Sequence, residues 1–425
     1  MYDVPRHDAP ESACLVGFDL PANIIADQNV SFAELTALAL TAGAQPVAEL
    51  ICKRAAIHPA YFIGKGKAEE LVRLCQEHDL HLVLVDHDLA PGQARNLERM
   101  TNAKIIDRTG LILQIFAQRA RSRAGKLQVE LAQLEYLLPR LTHLWSHFSR
   151  QYGGLGTRGP GETQLEVDRR RVQLRIRRLH EQLDAVRKQH AVQRVRRQRA
   201  DIPLVALVGY TNAGKSTLLR TLTDADVLIE DKLFATLDPT SRICQCPTGE
   251  RFIFTDTVGF IRNLPHGLVA AFKATLEETE RADVLLHIAD GTAIDLASQI
   301  AAVDVVLREI GVDQKPTVLA LNKVDKLSHR ERRELHAAYP EAAMISAQYG
   351  YGFNDLFCKL RARLPATMTR LQLRIPFQKS LLVSRLYEHG EVVTAQYAED
   401  AVLVDAYVPE HMLADLRRYR AKEVK

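Results

Sequence analysis

The chain has 425 residues, 47% of them apolar and 25% charged, with a formal net charge of +4. That is the mix of a globular protein long enough for about two to four domains with sizeable cores. No apolar run approaches the ~18–20 residues of a membrane span, which excludes an integral membrane segment. The opening MYDVPRHDAPESA lacks the basic start and apolar stretch of a signal peptide, so a cytoplasmic location is expected. Six cysteines (Cys14, Cys52, Cys75, Cys244, Cys246, Cys358) show no CxxC spacing and read as reduced core residues rather than zinc ligands or disulfides.

Residues 1–108 alternate short apolar runs with helical patterns. CLVGFDL, PVAELICK, HLVLVDHD and AKIIDR read as strands; SFAELTALALTAG, KAEELVRLCQEHD and PGQARNLERM read as helices. This alternation predicts a small, largely parallel α/β domain. GKGK at 64–67 sits where a strand-like piece meets a helix. An anion would suit the free N–H groups there, although a plain glycine turn accounts for so short a signal.

Residues 109–200 read as a helical hairpin. Leu127, Leu131, Leu134, Leu138, Leu141 and Phe148 follow an alternating four-three spacing with one skipped position, as do Leu165, Val172, Ile176, Leu179, Leu183 and Val186. Two long antiparallel helices are expected, joined by a glycine-rich connector. Pro139 should kink or break the first. From Asp168 to Arg199 there are twelve Arg/Lys and three Asp/Glu, a net of +9, so the rest of the chain sums to 4 − 9 = −5. A solvated helix face is the ordinary reading of a charge run. A block this one-sided more often meets a polyanion, because each contact with a phosphate releases counterions.

The connector contains GLGTRG (154–159), which spells G-x-G-x-x-G. A dinucleotide-binding turn follows a strand and opens a helix. This one follows the helical-looking LTHLWSHFSRQ and runs into Pro160-Gly161, so the context is wrong. Five glycines in nine residues instead let backbone lie close to another surface, with Arg158 and Gly159 offered to RNA.

Residues 201–365 form a second α/β unit carrying four ordered motifs. GYTNAGKST (Gly209, Tyr210, Thr211, Asn212, Ala213, Gly214, Lys215, Ser216, Thr217) follows the apolar strand LVALVG and opens a helix. It is a phosphate loop: backbone N–H groups turn inward, Lys215 reaches the β- and γ-phosphates, and the Ser216 hydroxyl suits Mg²⁺. DTVG (Asp256, Thr257, Val258, Gly259) ends a strand; Asp256 suits Mg²⁺ through a water, and the Gly259 amide suits the γ-phosphate. NKVD (Asn322, Lys323, Val324, Asp325) also ends a strand. Asp325 offers a carboxylate to the N1–H and N2–H₂ donors of guanine, which adenine lacks, so the motif selects GTP. SAQ (Ser346, Ala347, Gln348) offers the Ala347 amide to guanine O6. Four unrelated turns in this order would not arise by accident.

KLFATLDPT lies between the first and second motifs, with Phe234, Ala235, Thr236, Leu237 and Asp238 at its centre. A GTPase needs a threonine here to complete the Mg²⁺ shell beside the γ-phosphate, and Thr236 and Thr240 are both candidates. The residue after DTVG is Phe260, where many GTPases place a Gln that orients the attacking water. Slow hydrolysis without a partner is expected. Asn212 is a candidate K⁺ ligand in place of an arginine finger; a loop-stabilising role is the alternative. Residues 366–425, with strand-like LRIPF, EVVTAQY and AVLVDAYV, read as a small α+β domain.

Together FIGKGKAEEL, GGLGTRGPGETQLEVDRRR, GYTNAGKST, LFATLDPT, DTVGFI and NKVD resemble the HflX GTPases, relatives of the Obg group. The resemblance spans almost the whole chain, and the segment before the GTPase domain is its most specific part. It implies a Ras-like P-loop G domain, preceded by a small α/β domain with a long helical hairpin and followed by a small α+β domain. It implies GTP hydrolysis with Mg²⁺ held by Ser216 and Thr236; the residues' own chemistry adds Asp256, through water, to the metal and makes Lys215, Thr236, Gly259 and Asn212 the catalytic candidates. The implied partners are GTP and GDP, the large ribosomal subunit and ribosomal RNA; Arg158, Gly159, Arg169, Arg170 and Arg171 are the expected RNA contacts, from the glycine-rich tip and the basic block. The implied role is to dissociate stalled or idle ribosomes under stress, with the ribosome stimulating hydrolysis. ATP binding by the N-terminal region is also associated with the family. Tyr349, where the family more often has threonine, is a departure.

Two other functions fit the residues: a GTPase checkpoint in large-subunit assembly, and an RNA-binding scaffold in which GTP is structural. A monomer is expected, because the hairpin helices can pack on each other. Ribosome association is expected in the cytoplasm, with peripheral membrane association left open.

Overall fold

The computed structural model describes residues 10–19, 28–53, 57–141, 164–198, 202–223, 233–234, 236, 240–246, 250–262, 278–364, 368–398 and 400–420. Four parallel strands, β1 (Glu11–Asp19), β2 (Ala44–Lys53), β3 (Leu82–Val85) and β4 (Lys104–Asp107), form an N-terminal sheet in the order β2-β1-β3-β4. Its strands read as apolar runs because helices cover both faces; all four residues of β3 are buried. The helices are α1 (Gln28–Ala42), α2 (Lys65–Glu77), α3 (Pro91–Thr101) and α4 (Arg108–Arg119). Asp107 caps α4 by accepting from the Gly110 amide at 2.8 Å. α4 packs on β3, β4 and α1. It also packs on the next helix, so it joins this unit to the helical segment that follows.

Ser122 caps α5 (Arg123–Leu137), accepting from the Gly125 amide. The helix ends two residues before Pro139, whose ring cannot continue it. Residues 142–163, with Phe148, GLGTRG, Arg158 and Gly159, lie outside the described residues. α6 (Gln164–Gln198) runs 35 residues. Leu131, Leu179 and Leu183 are buried between α5 and α6, flanked by Leu127, Leu134 and Ile176. Arg175 binds Glu130 through two nitrogens at 2.7 and 2.9 Å, and His180 lies 3.6 Å from Glu135. A strict antiparallel register would pair these residues in the reverse order. Arg169, Arg170 and Arg171 are exposed on the first turns of α6.

The second sheet contains β5 (Leu204–Gly209), β6 (Thr240–Gln245), β7 (Arg251–Asp256), β8 (Val284–Asp290), β9 (Thr317–Asn322) and β10 (Ala343–Met344). Their order is β10-β9-β8-β5-β7-β6, with only β6 antiparallel. Its helices are α7 (Lys215–Thr223), α8 (Leu296–Glu309), α9 (His329–Ala338) and α10 (Phe353–Arg363). A C-terminal sheet of β11 (Met368–Pro376), β12 (Glu391–Tyr397) and β13 (Ala401–Pro409), ordered β11-β13-β12, carries α11 (Ser380–His389) and α12 (Glu410–Leu416).

The first and second units share one apolar core. Leu35, Ile112 and Phe116 of the N-terminal unit cluster with Phe234, Val258 and Phe260 of the next. Charged groups are buried at the same junction. Arg108 pairs with both Asp86 and Glu34, and its Nη2 donates to the Arg262 carbonyl at 2.9 Å.

Candidate active site

The carboxyl ends of the second sheet open onto a cleft of about 260 Å³. Ligands in open α/β sheets bind outside this edge. β5 leads to the phosphate loop and α7 leaves it. Glycine is required at two points of the turn. A Cβ on Gly209 would lie 2.1 Å from the Ile288 carbonyl oxygen, and one on Gly214 (φ 95°) would lie 2.2 Å from Asn322 Nδ2.

Lys215 begins α7, is buried, and donates from Nζ to the carbonyls of Gly209 (3.1 Å) and Tyr210 (2.7 Å). Burial lowers its pKa to about 8, against the raising effect of Asp256. A Cβ on Gly259 would lie 3.0 Å from this ammonium, so the DTVG glycine abuts it. A phosphate beside Lys215 favours its charged form and raises its pKa. Affinity for phosphates should therefore be full below pH 8 and fall as pH rises above it. Above pH 8, binding of GDP should take up protons. Calorimetry in buffers of different ionisation enthalpy checks this; enthalpies that do not vary with buffer would refute it.

Three oxygen donors converge beside Lys215. Ser216 Oγ lies 2.6 Å from Asp256 Oδ2 and 2.9 Å from Thr236 Oγ1, and Thr236 Oγ1 lies 2.9 Å from the same carboxylate oxygen. Burial raises the pKa of Asp256; Lys215, Ser216 and Thr236 oppose that, and the nearby Thr257 amide also favours the charged form. Even so, Asp256 Oδ1 is buried without a hydrogen bond of ordinary geometry among the described residues. Two hydroxyls around a buried, incompletely satisfied carboxylate fit a hard cation such as Mg²⁺. Thr240, the other candidate, stands in β6 in register with Asp256.

Asn322 ties the far end of the cleft together. Its Nδ2 donates to the Ala213 carbonyl and its Oδ1 accepts from the Ala347 amide, both at 2.8 Å. Asn322 is thus a strut between the phosphate loop and SAQ, and the amide expected to face guanine O6 is engaged by it here. Lys323 sits at φ 64° with Nζ 2.7 Å from Asp290 Oδ2. Asp290 is itself fixed by Thr292, whose amide and hydroxyl both donate to Oδ1. Asp325 and Gln348 line the cleft beside Lys326, which the sequence reading did not single out.

Thr211, Asn212, Thr217, Phe234 and Thr257 also line the cleft, whereas the side chains of Ala213, Val258 and Val324 are buried. Ser346 is buried too, its hydroxyl without a partner among the described residues. Ala235, Leu237 and Asp238 lie outside the described residues. Tyr210 turns to the N-terminal unit: its hydroxyl donates to Glu34 Oε2 (2.5 Å) and accepts from the Arg262 amide (2.9 Å). Phe260 is 1% exposed, and its backbone is bridged to the phosphate loop through Thr211 N–H to Phe260 O (2.7 Å) and Phe260 N–H to Gly209 O (3.0 Å). Its side chain is core and offers nothing to a water. His287, buried in β8, is pushed down to about 4 by burial and the Lys215 charge, and so stays neutral. At the start of α2, Lys67 is paired with Glu70 at 2.8 Å.

Three family models match in series: GTP-binding GTPase N-terminal over residues 29–117, GTP-binding GTPase Middle Region over 119–197, and 50S ribosome-binding GTPase over 204–323. The chain is 44% identical to GTPase HflX of Escherichia coli (strain K12), over 100% of this chain and 98% of that one. The chain belongs to the HflX family of GTPases. Its relative from Caldanaerobacter subterraneus subsp. tengcongensis is 46% identical over 91% of this chain and 89% of its own. That from Magnetococcus marinus is 47% identical over 86% and 85%. The protein is thus a GTP-binding enzyme that hydrolyses GTP to GDP and phosphate. Tyr210, Phe234 and Arg262 are contacted by Glu34, Phe116 and Arg108, all within the stretch matched by the N-terminal model. Among the described residues no helix is long and apolar enough to cross a membrane.

Proposed function

We propose that this GTPase binds the large ribosomal subunit and uses GTP to dissociate stalled or idle ribosomes, with the ribosome stimulating hydrolysis. The observation that carries the reading is the exposed run Arg169–Arg170–Arg171 on α6, joined through α5 to the unit that grips the phosphate loop. A polyanion held there is mechanically connected to the nucleotide site. The 50S ribosome-binding description of the matched G-domain model agrees with it. Arg158 and Gly159 are assigned to the same RNA contact.

At the nucleotide, Lys215 and the phosphate-loop amides hold the phosphates, Gly259 meets the γ-phosphate, and Asp325 with Lys323 and the SAQ loop holds guanine. Ser216 and Thr236 would hold Mg²⁺, with Asp256 behind them. When bound, the ion supplies positive charge to the β- and γ-phosphate oxygens. Asn212, at φ 59° on the cleft wall, would ligate K⁺; equal turnover in potassium and sodium would remove that ion from the reading. Phe260 cannot place a water, which agrees with slow turnover until the ribosome contributes a group.

The test is sedimentation of whole ribosomes after adding the protein with GTP. Loss of the whole-ribosome peak to separate subunits is expected. An unchanged peak with binding confined to pre-ribosomal particles would favour an assembly checkpoint. Ribosome binding insensitive to nucleotide, with no stimulation of hydrolysis, would leave only an RNA scaffold. Replacing Arg169, Arg170 and Arg171 together by glutamate should weaken ribosome binding by at least about tenfold and flatten its salt dependence by roughly three phosphate contacts. GTP affinity should not move; if it falls in parallel, α6 is not a separate RNA contact.

A further inference from the structure

We propose that Phe116, from the N-terminal unit, is a positioning residue for the GTPase site: it holds Phe234, and through it Thr236, against Ser216 and Asp256. The inference rests on the reading above that Thr236 completes the Mg²⁺ shell.

The geometry is specific. The two rings meet edge to face, with centroids 4.7 Å apart and planes at 68°. Both are almost fully buried, at 1% and 2% exposure. Phe234 has φ 55°, a left-handed conformation that a bulky side chain adopts only where its surroundings impose it. The surroundings include the Phe116 ring and the junction core behind it. Two residues on, Thr236 Oγ1 stands 2.9 Å from both Ser216 Oγ and Asp256 Oδ2. A shift of Phe234 cannot leave so close a neighbour in place. The same N-terminal unit also holds the phosphate loop, through Glu34 and the Tyr210 hydroxyl. The N-terminal unit therefore touches both sides of the site, Phe234 on one and the phosphate-loop residue Tyr210 on the other.

A role in placing Thr236 has a signature that general loosening lacks. The switch threonine engages the metal only when the γ-phosphate is present. Loss of the Phe116 contact should therefore weaken Mg²⁺-dependent retention of a triphosphate and spare that of a diphosphate.

The experiment follows release of a fluorescent non-hydrolysable GTP analogue, and separately of fluorescent GDP, from the full chain as Mg²⁺ is varied. Phe116→Leu keeps most of the apolar bulk and so preserves the fold. It should raise the Mg²⁺ midpoint for the triphosphate by about three- to tenfold, the range an edge-on aromatic pair supports. The GDP midpoint should stay put. Phe234→Leu should shift the triphosphate midpoint at least as far, and the double variant should shift it no further than Phe234→Leu alone, because the two act through one contact. Thr236→Ala is the reference arm. If it leaves the triphosphate midpoint unchanged, the metal assignment itself fails. If it shifts the midpoint and Phe116→Leu does not, or if Phe116→Leu shifts both nucleotides alike, Phe116 does not position Thr236.

Discussion

Lys215→Ala should cut single-turnover GTP hydrolysis by about 10²–10³-fold, the usual cost of removing one preorganised donor from developing charge. The side chain is 6% exposed, which excludes the water that would otherwise screen it. Its Nζ is held by two carbonyls of the phosphate loop and lies against Gly259, so it stands where the loop and the DTVG turn meet. Truncation removes the charge and leaves the Gly209 and Tyr210 carbonyls without that donor, so GTP affinity should fall as well. Arginine should not restore activity, because its planar fork cannot occupy the space of a compact ammonium between two carbonyls and a glycine. Hydrolysis measured with and without ribosomes, alongside the unfolding midpoint, checks this. A folded variant within tenfold of the parent would mean that the phosphates are carried elsewhere.

The phosphate loop, DTVG and NKVD were legible in the sequence because each is a contiguous run whose work is done mostly by its own backbone and neighbours. Strand LVALVG announces Gly209, and the glycine needed at 214 is the glycine that is written there. The N-terminal strands were legible for a similar reason, since continuous apolar runs such as LVLV mark a sheet covered on both faces. The junction was not legible. Phe116 meets Phe234 across 118 positions, and the Tyr210 hydroxyl meets Glu34 across 176. No periodicity links such pairs, and Phe116 by itself reads as an ordinary core residue of α4. Arg108 likewise reads as a surface charge, yet Glu34, Asp86 and the Arg262 carbonyl make it a buried hub. Asn322 reads in sequence only as the first residue of NKVD; its two hydrogen bonds to Ala213 and Ala347 make it a strut as well, a role set by tertiary proximity of three separate loops.

That strut gives the base end of the cleft a sharp consequence. Asn322 and the Lys323–Asp290 pair hold the walls without help from Asp325, so Asp325→Asn should change recognition while leaving the walls standing. A carboxylate accepts from both N1–H and N2–H₂ of guanine. An amide has one acceptor and one donor group, so one of its groups must face a guanine donor with a donor of its own. Each hydrogen bond to a charged group contributes about 1.5–3 kcal/mol, so GTP affinity should fall by about 10²-fold or more. Xanthine carries a carbonyl where guanine has its 2-amino group, which suits the amide donor. XTP should therefore bind the variant better than GTP does, the reverse of the parent chain. Competition of GTP, ITP and XTP against a fluorescent diphosphate reads all three affinities at once. Inosine lacks the 2-amino group, so the parent should prefer GTP to ITP, and the variant should lose most of that preference. Unchanged GTP affinity, or no gain for XTP, would place the base against another residue of the cleft and leave Asp325 as a solvent-facing charge.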